Sequence, residues 1–127
     1  MLGFWTSHAD YQLFVIRNLK TVDSESVFEY KDVIPKLFIL NLDKLKHTIA
    51  PLYSSTGRPA LHQPEIFRSF ILMNELGFKL DNWIPKLKNS FVLRTIVGVD
   101  KDSVPSVSSH YDFINRLIDI DENPRVK

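Results

Sequence analysis

The sequence predicts an all-α domain, a compact bundle of about five to six short helices. Three observations carry that prediction. Apolar residues recur at spacings of three and four through the segments between Asn41 and Ile118. Helix punctuation falls where such segments begin and end, with Pro64 opening one, Gly77 closing it and Gly98 closing another. A hydrophobic fraction of 44% and a charged fraction of 24% over 127 residues suit a single globular domain with a real core.

The first forty residues read as an N-terminal extension that packs on that core. Tyr11 to Leu19 is apolar at 11, 13–16 and 19, which suits a short buried helix or a strand equally. Thr21 to Ser26 reads as a polar connector. Pro35 breaks the next segment, and Leu37 to Leu40 is too short a run to classify.

The helical domain proper spans 41–118. Asn41 is a candidate N-cap for a helix whose face holds Leu42, Leu45, Ile49 and Leu52. Ser54 to Pro59 is a loop, in which Arg58 is pushed extended by the proline after it. From Pro64, the residues Ile66, Phe67, Phe70, Ile71, Met73 and Leu76 make a wide stripe and mark the central core helix. Arg68, Ser69, Asn74 and Glu75 fall on its wetter side, and Gly77 stops it.

A short helix capped by Asp81 carries Trp83, Ile84 and Leu87, with Pro85 tolerable only near its start. Ser90 caps another, Phe91 to Val97, closed by Gly98. The last helix runs from Ser106 to about Ile118, with Val107, Tyr111, Ile114 and Ile118 as its apolar face and Phe113 and Leu117 widening it. Together with the helix before it, this element suggests a pair of the helix-turn-helix kind. Residues 119–127 are polar, contain Pro124, and read as a linker towards a further domain.

Composition removes several classes of function. With no cysteine there is no disulfide, thiolate metal site or cysteine nucleophile. Met1 to Trp5 does not read as a signal peptide, and no apolar run approaches the roughly 18 residues that span a bilayer. The reading is therefore a cytoplasmic protein with no membrane partner. Net charge is +1; residues 1–56 balance six Lys/Arg against six acids, while residues 57–118 hold eight against six. The small basic excess lies in the second half.

That half also carries a spaced motif. Gly57-Arg58-Pro59 is followed by the Val97-Gly98 corner and then by Pro105, Ser108, Ser109, Phe113, Arg116 and Leu117 in the pattern P-x-x-S-S-x-x-x-F-x-x-R-L. With Tyr53, Pro64 and Arg68, these residues resemble the N-terminal domain of bacterial insertion-sequence transposases of the DDE class, over residues 53 to 117. The resemblance implies a helical module that engages double-stranded DNA at the element's terminal repeats, with a possible homodimer. It implies strand cutting and joining by a separate α/β domain that uses a carboxylate triad and Mg²⁺. No cofactor is expected in this chain itself, and no enzymatic activity.

Each candidate DNA contact has a structural alternative. Arg58 can reach a phosphate or the minor groove, or tie its loop to a helix. Lys86, Lys88 and Arg94, with Lys79, make a phosphate-contacting rim or a solvated basic face. Ser106, Ser108, Ser109, His110 and Asp112 lie off the apolar stripe of the last helix, whose N-terminus suits phosphate, and Ser106 can equally be its N-cap. Asn115 and Arg116 can reach base edges, or Arg116 can bridge to an acid. Arg68, on a core helix, reads as structural. Asp112, Ile114 and Asn115 stand where the family often has arginine.

No catalytic set is legible. Asp100 and Asp102 form a D-x-D in a loop with no third acid placed by a motif, so solvation or capping is the reading. His8, His47, His62 and His110 are scattered without metal spacing. The alternative function is a protein-interaction module, for dimerisation or contact with the catalytic domain, with little DNA binding of its own.

Overall fold

The computed structural model describes residues 2–53 and 59–122, with side chains through Ile118. Among them the chain forms eight α-helices and no strand, apart from a single parallel bridge between Leu2 and Ala60. The all-α class stands, with more and shorter helices than the apolar periodicity gave. No described helix is long and apolar enough to cross a membrane.

The additional helices lie in the first half. α1 (His8–Leu19) starts at Ser7, whose hydroxyl accepts from the Asp10 N–H. α2 (Ser24–Glu29) and α3 (Ile34–Ile39) occupy the stretch read as connector and unclassified run. Pro35 sits in the first turn of α3, where its missing N–H costs nothing, so it starts a helix rather than breaking one.

Asn41 caps no helix. Its side chain accepts from the Asp43 N–H at 2.9 Å, a local turn that competes with helix, and α4 (Leu45–Ile49) begins later and continues as a 3-10 turn over Ala50–Leu52. Leu42, Leu45, Ile49 and Leu52 still face one core. They do so from a turn, a helix and a 3-10 turn in succession.

α5 (Gln63–Leu76) is the spine. Leu72 belongs to one apolar cluster, with Leu37 of α3, and Ile66 to a second, with Trp5, Ile49 and Tyr53. Residues 1–40 therefore supply core side chains to both clusters. Fully burying Leu37, Leu72, Leu87 or Leu93 contributes about 1.5–3 kcal/mol each. Gly77 ends α5 at φ 77°, where the Phe78 N–H reaches the Met73 carbonyl at 3.0 Å.

α6 (Leu80–Lys88) is preceded by extended Lys79, so Asp81 lies in the first turn rather than at the cap. Pro85 sits inside this helix, beyond the first turn. α7 (Phe91–Val97) is capped by the Ser90 hydroxyl, which accepts from the Leu93 N–H, and ends at Gly98 with φ 103°. A 3-10 turn, Lys101–Ser103, precedes α8 (Val107–Glu122), so the helix covers the first residues of the segment read as linker. Residues 123–127 lie outside the described residues.

α8 packs against α5 and α6, and the connection 98–106 is no tight turn. The last two helices are thus not a helix-turn-helix pair. The inward face of α8 is the expected one in part. Phe113 is buried and Val107 and Leu117 pack on the core, but His110 is buried with them, whereas Tyr111 and Ile118 are 52% and 44% exposed.

Candidate nucleic-acid interface

Two arginines expected at DNA are held by the protein itself. Arg116 places its guanidinium 4.2 Å from the ring centroid of Tyr53, donates from Nη1 to the Leu52 carbonyl at 2.6 Å, and pairs through Nε with Asp112 at 3.0 Å. Arg94 donates from Nη1 to the carbonyls of Leu87 and Lys88, satisfying the C-terminal end of α6. Both side chains spend donors on backbone carbonyls, although the Leu87 carbonyl also accepts from the Ser90 N–H at 3.3 Å.

Arg68 and Ser69 do not lie on a wet face. Arg68 is 1% exposed, sits with its guanidinium 3.5 Å from the Tyr11 ring centroid, and donates to the Val97 carbonyl at 3.2 Å. Burial lowers its pKa from the ordinary arginine value, opposed by Tyr11, Glu65 and Asp43. The Tyr11 hydroxyl donates to the Ile96 carbonyl, and burial pushes its pKa up to about 12. Sequence periodicity assigned Arg68 and Ser69 to solvent because it counts polarity without seeing partners.

Ser69 links three helices. Trp83 donates from Nε1 to the Ser69 hydroxyl oxygen at 2.8 Å, and the same oxygen lies 2.8 Å from His110 Nε2. His110 Nδ1 lies 2.8 Å from the Ser106 carbonyl. A carbonyl only accepts, so Nδ1 carries the hydrogen, Nε2 is the acceptor, and the Ser69 hydroxyl donates to it. Every polar atom of this relay is partnered, Ser69 Oγ by two groups. His110, expected among DNA contacts, is therefore a core residue whose pKa burial pushes below the usual histidine value, against the opposing bond to Ser106.

The relay sets the first turn of α8 beside α6. Ser106 caps that turn by accepting from the Ser109 N–H at 3.0 Å, and bonds the Ser109 hydroxyl at 3.1 Å. Ser106, Ser108 and Ser109 are exposed, as are Lys86 and Lys88 in the last turn of α6, Lys79 before it, and Lys101. Asn115 is exposed farther along α8. Arg58 lies outside the described residues.

Asp100 and Asp102 are exposed around the 3-10 turn, and no group of three or more metal-ligating side chains occurs among the described residues. A separate cleft lies between α1 and the start of α5. It was not legible in the sequence, because its residues come from four separate stretches, 4–6, 10–17, 61–65 and 98–103. The chain matches no family model, no curated protein and no solved structure.

Proposed function

We propose that the chain is the DNA-engaging N-terminal module of a DDE-class transposase, with strand cutting assigned to a separate carboxylate-bearing domain. The observation that carries this reading is the way the motif residues meet in space. Tyr53 and Arg116, at the two ends of the motif, stack on one another, and a Cβ on Gly98 would come within 3.2 Å of Arg68 Nη1. Residues spaced far apart in the sequence thus depend on one another, as the parts of a family signature should. They act on the fold. The DNA contacts fall instead to residues that the fold leaves free.

Those are Lys86 and Lys88 of α6 with Ser108 of α8, on neighbouring helices, together with Ser109, whose exposed hydroxyl also accepts from Ser106. Lysines supply the sequence-independent attraction to phosphate, and hydroxyls at a helix start donate to the phosphate oxygens. Asn115 is the remaining candidate for a base edge. With a net charge of +1, binding rests on this local patch rather than on the field of the whole chain.

One observation favours a second reading, a module that pairs with a second copy. Tyr111 and Ile118 lie a helical repeat apart on the outer face of α8, 52% and 44% exposed. Light scattering and fluorescence anisotropy on a generic duplex, both at 50 and 200 mM salt, separate the two. Affinity that falls steeply with salt while the mass stays monomeric supports DNA engagement. A salt-independent dimer with no DNA signal supports pairing.

A further inference from the structure

Between α1 and the segment entering α5 lies a cleft of about 570 Å³, within the size range of small-molecule sites. Phe4, Tyr11 and Phe14 give it aromatic walls, and Leu13 and Leu61 an apolar lip. Phe4, Leu13 and Leu61 are 75%, 56% and 52% exposed, a concentration of uncovered apolar surface at one opening.

Glu65 lies at its inner side. The residue is 3% exposed; Oε1 accepts from the Thr6 hydroxyl at 2.9 Å, and Oε2 is buried with no partner among the described residues. No described ion pair involves Glu65. The Arg68 guanidinium one turn along α5 feels its charge without bonding it, and Arg68 Nε and Nη2 are likewise buried without a partner among the described residues. A buried carboxylate oxygen without a donor is costly. Glu65 lines the cleft while Oε2 itself is covered, so a donor bound in the cleft meets this oxygen only as the lining side chains shift.

The charges around the cleft have one sign in excess. Asp10, Asp100 and Glu65 line it against Arg17, with His62 beside them. Arg68 lies on the Tyr11 ring, its Nη1 committed to the Val97 carbonyl. His62 holds the lip at φ 64°, a left-handed conformation that a non-glycine residue adopts at a cost of about 1 kcal/mol or more. Such strain persists where the surroundings impose it, and it clusters at binding sites.

We propose that this cleft binds an organic cation, an ammonium head on an apolar body, with Glu65 as its counter-ion and the aromatic rings around it. The ammonium donates to Glu65 Oε2, and ring faces attract the positive charge. A free amine and a lysine side chain offered by another protein share this chemistry. The site goes beyond the DNA-engaging reading and does not depend on it.

The test is a titration of the full chain, followed by backbone amide NMR, with phenethylammonium, its neutral isostere 2-phenylethanol and phenylacetate. The expected result is saturable shifts around residues 4–17 and 61–65 with the ammonium, binding about tenfold weaker with the alcohol, and none with the anion. Glu65→Gln should weaken the ammonium by about tenfold or more. Should that variant fail to fold, the exposed changes Phe4→Ala and Asp100→Asn decide, each expected to weaken binding about threefold. A parallel titration with Nα-acetyl-lysine methylamide separates the sources, since binding there points to a protein lysine and its failure to a free amine. Equal affinity for the alcohol, no saturable shifts at millimolar ammonium, or unchanged affinity in the folded variants would overturn the proposal.

Discussion

Arg116 lies over Tyr53, 4.2 Å from guanidinium carbon to ring centroid, and its Nη1 donates to the carbonyl of Leu52 next door. The contact ties α8 to the end of the 3-10 turn before the Gly57-Arg58-Pro59 stretch. An arginine singled out as a DNA contact is thereby a clamp between two halves of the motif. Arg116→Ala should lower stability by about 1–2 kcal/mol, the loss of a charged bond to a carbonyl and a partly exposed cation–π contact. Urea denaturation measures it. Arg116→Lys keeps the charge and should leave the DNA affinity of the folded protein within about twofold, because the charge is not spent on phosphate.

Gly98 and Gly77 both hold positive φ, at 103° and 77°, and differ in their surroundings. A Cβ on Gly98 would meet the Tyr11 ring at 3.0 Å and Arg68 Nη1 at 3.2 Å, while one on Gly77 meets nothing within 4 Å. Gly77→Ala should cost about 1 kcal/mol from the backbone alone, and Gly98→Ala about 2–4 kcal/mol from backbone and crowding together. Equal losses in thermal unfolding would show that the Arg68–Tyr11 stack yields freely.

The Trp83–Ser69–His110 relay sets a pH dependence. His110 has its pKa lowered in the folded state, so the unfolded chain takes up the proton first as pH falls. Its contribution is complete above the unfolded value of about 6.5 and is lost as pH drops from there towards the folded value. Wild type should therefore lose stability between pH 7.5 and 5 more steeply than His110→Gln. Ser69→Ala leaves the Trp83 N–H and His110 Nε2 unpaired, at a cost of about 2–4 kcal/mol.

Much of the fold was legible because it follows local rules. Gly77, Gly98, Ser90 and Pro64 act where caps and first turns require them. The first half was legible only at α4, where the face of Leu45 and Ile49 was read but not its late start. The helices α2 and α3 are too short to display a period and are stabilised by packing, as Leu37 shows. The site was legible only in part. Lys86, Lys88, Ser108 and Ser109 are exposed as polar residues usually are, whereas Arg68, Ser69 and His110 are buried because each finds a specific partner. Those partners are distant in sequence, so polarity alone sent these residues to the wrong side.

Charge reversal at α6 separates phosphate binding from a merely solvated basic face. Lys86→Glu with Lys88→Glu should cut duplex affinity at least tenfold at 50 mM salt and flatten the salt dependence by nearly one unit of slope per lost contact. Circular dichroism should show an unchanged fold, since both side chains are exposed.

The proposed transposase role is tested most sharply by an anisotropy titration of this chain against the terminal duplex of the insertion sequence that role implies, beside a scrambled duplex, at low and moderate salt. The account predicts tight binding to the end duplex, weak binding to the scrambled one, and a steep fall of both with salt. Equal weak binding to the two duplexes, insensitive to salt, would contradict a DNA-end module and leave the exposed Tyr111–Ile118 face of α8 as the surface to pursue.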